Sequence, residues 1–351
     1  MAQTDDADLL TVSGHPRDPL DDVRDLVARA PGPDLAARAA ARDREARLAK
    51  PPGGLGRLET IVEWLSAWQG RHPPKADRLA TVVFAASHGV AGRDVSVHSD
   101  NDTARIARYI ADGQAAVNAF AKACGSGLKL YDLALDQPTP DICDAPALSP
   151  RDCAATIAFG MEALVERPEV LCVGVLGVGS TTVAAAVACG LYGGQPAFWA
   201  RAGSGISGRV FVNKVDAINA ALVRHRGALT DPLEVLRRLG GRDIAAAIGA
   251  ILAARHQRTP VILDGFAATA AAAELHEMRS DVIDHCLAGH VTPKPSHAAL
   301  LERIRKKPLL DLGAGLGDGS GAALAAGVVR AAAMAHRDMA LREDDLKTPP
   351  E

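Results

Sequence analysis

The sequence predicts an α/β fold in which a parallel sheet is covered by helices on both faces. Three observations carry this. Short, continuous apolar runs rich in β-branched residues recur along the chain, as strands buried on both faces require. Ala-rich stretches of helical period separate them, the alternation expected of a parallel sheet. Apolar residues make up 48% of the chain but aromatics only 3%, with 33 glycines, so small side chains fill the places where helices meet a sheet. A chain of 351 residues is long enough to bury a large core.

Helical periodicity runs from Leu20 to about Gln69, interrupted by "KPPGGLGRLE" (Lys50–Glu59), where prolines and glycines force a loop. Strands are expected at Leu79–Ser87, Leu128–Leu135, Val170–Gly177 and Thr259–Gly265. Helices are expected in "CAATIAFGMEALVE", "TTVAAAVACGLYG", "RDIAAAIGAILAARH" and "FAATAAAAELHEM". The polar beginning and the tail "REDDLKTPPE" read as loose. No internal repeat is present.

A net charge of −3 without a basic run gives no electrostatic case for nucleic acid. The N-terminal "MAQTDDADLL" lacks the basic and apolar regions of a signal peptide, and no apolar run is long enough for a membrane span. A cytoplasmic protein without a membrane partner is therefore expected. Cys124, Cys143, Cys153, Cys172, Cys189 and Cys286 show no CxxC spacing and read as reduced and mostly buried; zinc or disulfide roles are the weaker reading.

Ligands of parallel sheets bind beyond the C-terminal strand ends, and three such loops are unusual. In "ASHGVAGRDVS", Ser87, His88 and Gly89 follow a strand directly, so His88 is either structural or functional. In "GVLGVGSTTVAAA", Gly177 and Gly179 admit a ligand close to the backbone, and Ser180, Thr181 and Thr182 open a helix with hydroxyls and free N–H groups. An ordinary cap after a tight turn would look the same. "RAGSGISGRVFVNK" repeats the idea with Gly203, Ser204 and Gly205, followed by Lys214. Two small-residue anion cradles and a lysine suggest a phosphate-bearing substrate, without obvious metal ligands.

The ladder "LLDLGAGLGDGSGAALAAG" (Leu309–Gly327) resembles a methyl-donor cradle, but its position argues against one. Such a motif follows the first strand of its domain. Here only residues 322–351 follow Gly321, and no acidic ribose-binding strand is among them.

Together with "VVFAASHGVAGRDVS", "DGQAAVN", "DPLEVLRRLGGRDIAA" and "DGFAATAAAA", these stretches resemble one family, the nicotinate-nucleotide:dimethylbenzimidazole phosphoribosyltransferases of cobalamin lower-ligand activation. The likeness runs from about Asp21 to His336, with seven motifs in the family's order. It implies a Rossmann-like parallel sheet in residues 76–284. A smaller helical domain would be built from residues 20–75 and 285–340, between loose segments 1–19 and 341–351. It implies a homodimer with the active site at its interface, small-molecule substrates, and neither cofactor nor metal.

The family moves phosphoribose from nicotinate mononucleotide to a benzimidazole nitrogen, releasing nicotinate. The leaving pyridine already carries positive charge, so it departs without acid or metal assistance. A carboxylate takes the acceptor N–H proton as the bond forms, and hydroxyls and amides hold the phosphate. The resemblance implies Asp318 as that base. It assigns phosphate and ribose to Gly177, Gly179, Ser180, Thr181, Thr182, Gly203, Ser204, Gly205, Lys214, Asp264 and Gly265. The acceptor pocket falls to Ser87, His88, Val175, Leu176, Leu316, Gly317 and Gly319.

The chain departs from the family's pattern where the acceptor proton is handled. Asp318 stands for a glutamate and is one methylene shorter, and a misplacement of roughly 1 Å can cost about 100-fold in rate. Val175 replaces a second glutamate, Ser87 an Asp or Asn, and Lys294 a third glutamate in "HVTPKPSH". His290 and His297, in the same stretch, read as solvated or core residues. Two readings follow: the benzimidazole reaction persists, or a divergent paralogue uses another azole, purine or phenol. A non-catalytic nucleotide-binding protein is the third.

Overall fold

The computed structural model of the chain describes residues 18–99, 101–200 and 208–342. Three helices come first: α1 (Asp21–Ala28), α2 (Leu35–Arg47) and α3 (Arg57–Gln69). Strand β1 (Leu79–Ala85) is followed by α4 (Asp102–Ala111), α5 (Ala116–Ala123), β2 (Ser126–Asp132) and α6 (Pro150–Met161). Then come β3 (Val170–Leu176), α7 (Ser180–Tyr192), the short α8 (Pro196–Trp199), α9 (Arg209–Arg224), α10 (Pro232–Leu239) and α11 (Arg242–His256). The chain continues with β4 (Val261–Leu263), α12 (Gly265–Met278), β5 (Cys286–His290), α13 (Pro295–Arg303), β6 (Pro308–Leu310) and α14 (Ser320–Asp338).

The six strands form one parallel sheet in the order β2-β1-β3-β4-β5-β6. All seven residues of β3 are buried, as expected of a strand flanked on both edges and covered on both faces. Its alternate side chains serve two cores. Leu171, Val173 and Val175 join the apolar layer made with α6, α7, α11 and α12. Val170 and Cys172 face α3 and α14 on the other side. Edge strand β2 is half-exposed and alternates instead.

Local chemistry sets the helix starts. Asp34 accepts the Ala37 N–H at 2.9 Å, and Asp231 accepts the N–H groups of Leu233 and Glu234 ahead of Pro232. The two ends of the described chain meet: Leu48 bridges Leu341, and Arg44 donates to the carbonyls of His336 and Arg337.

The parallel sheet flanked by helices is as the sequence predicts, with two differences. β5 and β6 lie within residues 285–340, expected to be helical, yet both pair into the main sheet. "CLAGH" and "PLL" are too short to show a strand period, and partner strands rather than local pattern make them β. In addition, Asp18, expected to be loose, is anchored: it pairs with Arg24 at 3.1 Å.

Candidate active site

Because the sheet is wholly parallel, the ends of β1, β3, β4, β5 and β6 open on one edge. A cleft of about 270 Å³ lies there. Its lining includes Val175–Thr181, the apolar Val97, Ile106 and Phe266, and Thr292, Lys294 and Gly315–Asp318.

The glycine ladder leaves β6 and runs back across the top of β3. The Val175 N–H donates to the Gly317 carbonyl at 3.1 Å. This crossing needs Gly174, since a Cβ there would stand 2.4 Å from the Gly319 nitrogen. Gly319 starts α14 at φ +97°, a conformation costly for any side chain.

Asp264 holds the loop from below. It is fully buried; its Oδ2 accepts the Gly319 N–H at 2.8 Å and its Oδ1 the Ala322 N–H at 2.7 Å. His290 Nε2 lies 3.2 Å from Oδ1. Burial disfavours the charged imidazole, but the Asp264 carboxylate outweighs it and raises the His290 pKa. His297, buried alongside, is bound by Thr269 and Thr292 and held neutral by burial, its pKa near 3.

Asp318 lines the cleft and is 7% exposed. Its Oδ1 accepts both the N–H and the hydroxyl of Ser320, which fixes the carboxylate and leaves Oδ2 for a ligand. Burial, helped by the Asp264 charge, raises its pKa above the ordinary range despite the Ser320 donors. A carboxylate so placed is a stronger base than a solvated one.

The opposite end of the cleft is the start of α7. Thr181 accepts a hydrogen bond from Lys214 Nζ at 2.7 Å. Lys214 is 2% exposed, and burial, with the Lys294 charge adding to it, holds its pKa well below the ordinary value. Behind this end sits a buried cluster. The Ser180 hydroxyl donates to Asp243 Oδ2 at 2.6 Å, and His88 Nε2 lies 3.0 Å from both. The three side chains tie the ends of β1 and β3 to the start of α11. One imidazole nitrogen serves serine and aspartate together, so this is a buttress and not a nucleophile relay.

The structure thus brings Gly177, Gly179, Ser180, Thr181, Val175, Leu176, Leu316, Gly317 and Asp318 to one cleft, with Lys214 one contact behind. Other expected residues stand back from it. Thr182 is fully buried, the Ser87 hydroxyl donates to the Leu135 carbonyl at 2.8 Å, and His88, Asp264, Gly265 and Gly319 support the loops. Gly203, Ser204 and Gly205 lie outside the described residues. Sequence reasoning passed over Val97 and Ile106, which carry no motif, and over Phe266 and Thr292, which lie inside "DGFAATAAAA" and "HVTPKPSH". It passed over Asp243 as well, although that acid opens the helix of "GGRDIAA". Among the described residues no three His, Cys, Asp or Glu side chains gather as metal ligands would, and no helix is long and apolar enough to cross a membrane.

Known proteins share this arrangement. Residues 30–345 match a family model described as a phosphoribosyltransferase. A nicotinate-nucleotide–dimethylbenzimidazole phosphoribosyltransferase of Rhizobium meliloti is 53% identical over 322 residues, 92% of this chain and 95% of that protein. One of the same name from Agrobacterium fabrum is 52% identical, over 93% of this chain and 94% of that protein. The crystal structure of CobT from Thermus thermophilus superposes with a TM-score of 0.83 at 33% identity, over 90% of this chain and all of that one. The chain belongs to the nicotinate-nucleotide–dimethylbenzimidazole phosphoribosyltransferase family.

For a phosphoribosyltransferase of this family, the departures in sequence acquire a location. Val175, Lys294 and Asp318 all line the one cleft. The cleft end beside Thr181 keeps the hydroxyl–lysine pair, while the end beside Asp318 carries apolar Val175 and Leu316 next to that carboxylate.

Proposed function

We propose that this enzyme transfers the 5-phosphoribosyl group from nicotinate mononucleotide to a nitrogen of dimethylbenzimidazole, releasing nicotinate. One observation carries the reading: a single cleft joins an anion-seeking end, Thr181 with Lys214, to an apolar end that holds the Asp318 carboxylate. The phosphate rests at the first end, and the flat acceptor lies between Val175, Leu176 and Leu316 at the second. The acceptor's nitrogen lone pair attacks C1′ of the ribose while the C1′–N bond to the pyridinium breaks. That bonding pair neutralises the leaving ring, and Asp318 Oδ2 takes the acceptor N–H proton. Ser320 keeps the carboxylate aimed. Relatives about half identical over nine tenths of the chain bear the name of this reaction, which supports dimethylbenzimidazole as acceptor.

Homodimerisation is part of the proposal. Val97, Leu312 and Leu316 are 57%, 65% and 67% exposed near the cleft mouth, and a second subunit would cover them. A cytoplasmic site of action fits six free cysteines, five of them buried.

Mixing the protein with nicotinate mononucleotide and dimethylbenzimidazole should release nicotinate and form the benzimidazole ribotide, both read by mass spectrometry. Ribotide formed only with adenine, another azole or a phenol would replace the acceptor. Mononucleotide binding without any product would replace the enzyme by a binding protein. Light scattering of the eluted protein reads the dimer.

A further inference from the structure

Lys294 stands at the N-cap of α13, half-buried, and lines the cleft with Gly179 and Thr181. Among the described residues no hydrogen bond or carboxylate reaches its ammonium. Lys214 is in the same condition, with one neutral contact to the Thr181 hydroxyl. An ammonium taken out of water without a counter-charge is unfavourable. Burial holds both lysines below their ordinary pKa, and the Lys294 charge depresses Lys214 further. Among the described residues the one carboxylate lining the cleft, Asp318, is committed at Oδ1 to Ser320 and makes no ion pair with either lysine. Two ammonium groups without a counter-charge, one lining the cleft and one a contact behind it, are balanced when an anion enters.

We propose that Lys294 is a second phosphate-binding cation, which with Lys214 matches the two charges of the substrate's 5′-phosphate and selects a phosphomonoester dianion. The inference rests on the phosphoribosyl reading above. In the motif of the family this position is glutamate, so the cation is a property of this chain and not of that pattern. Charge count favours phosphate over the nicotinate carboxylate. A carboxylate brings one charge, while Lys294 and Lys214 offer two ammonium groups and Thr181 a hydroxyl.

Calorimetric titration of the wild type, Lys294→Met and Lys294→Arg with nicotinate mononucleotide, its dephosphorylated riboside and inorganic phosphate tests this. Lys294→Met should weaken the mononucleotide and inorganic phosphate by about 10- to 100-fold and the riboside by less than about 3-fold. Lys294→Arg should retain most of the affinity, which separates charge from folding. Equal loss for mononucleotide and riboside would assign Lys294 to the base or to the fold, and unchanged phosphate affinity in Lys294→Met would overturn the proposal. If the wild type binds phosphate but no mononucleotide, the phosphoribosyl reading fails while the phosphate titration still judges Lys294.

Discussion

The carboxylate of Asp264, at the end of β4, receives the backbone N–H of Gly319 at 2.8 Å and that of Ala322 at 2.7 Å. One buried side chain thereby sets the start of α14 and, one residue earlier, the position of Asp318. An acid that by its place in the sequence reads as a phosphate or ribose ligand is turned into the protein, where it holds the loop that carries Asp318.

Replacing Asp264 by Asn puts an NH₂ group against one of these N–H donors. A displacement of Asp318 by roughly 1 Å should then lower kcat about 100-fold, with a smaller change in KM for the mononucleotide. The buried unsatisfied groups should also remove about 1–3 kcal/mol of stability. Steady-state kinetics with thermal melting measures both, and a wild-type kcat would reject the loop-holding role.

Asp318→Asn should reduce kcat by about 10²- to 10⁴-fold and leave mononucleotide affinity within a few-fold, because only proton removal is lost. The wild-type pH profile follows from the raised Asp318 pKa, whose first cause is burial. The carboxylate is the active form, so the rate falls as pH drops through a value above the ordinary carboxylate range near 3.9. Loss of that acidic limb in Asp318→Asn, measured on the residual rate, checks the assignment.

Asp243 is fully buried. Burial pushes its pKa up, but the His88 charge and the hydrogen bonds from His88, Ser180 and Ile244 outweigh burial and leave it lowered. A depressed carboxylate pKa adds stability above the unfolded value that is lost as pH falls through the folded one. His88→Ala removes the main stabilising partner, so the Asp243 pKa rises and acid unfolding begins at higher pH. At neutral pH the buried charge left behind should cost about 3–5 kcal/mol. Acid titration followed by circular dichroism reads the midpoint, and one unmoved by His88→Ala would contradict the buttress.

Glu274 on α12 is fully enclosed and neither carboxyl oxygen has a partner. Burial, with the charges of Asp231 and Glu277, raises its pKa well above the ordinary value. For a raised carboxyl the sign is opposite: stability is fully present below the unfolded pKa and falls as pH climbs toward the folded one. Each unit of that climb costs about 1.4 kcal/mol. Glu274→Gln should therefore melt higher than the wild type at pH 8 and show less dependence on pH between 5 and 8. Parallel melting curves for the two proteins would refute this.

Much of the fold was legible. Continuous apolar runs such as "VLCVGVLG" announce strands covered on both faces, because only such a setting tolerates no polar side. Ala-rich runs such as "RDIAAAIGAILAARH" became helices over the residues expected. The short strands β5 and β6 were not legible, since five and three residues hold too little pattern; pairing of β5 with β4 and of β6 with β5 makes them strands. In the site, Asp318, Thr181 and Gly179 line the cleft, while Thr182 is buried and the Ser87 hydroxyl turns to the Leu135 carbonyl.

The sequence by itself determined the class of fold, the family resemblance and the residue types available to bind phosphate and move a proton. Only the tertiary structure decided which acid faces the cleft. Asp264 and Asp318 both precede glycine at the start of a helix, yet one is turned under the loop and the other into the cleft. That choice depends on backbone angles such as φ +97° at Gly319, and on the crossing of the last loop over β3 at Gly174. Both arise from contacts between segments far apart in the chain, and local residue order does not encode them.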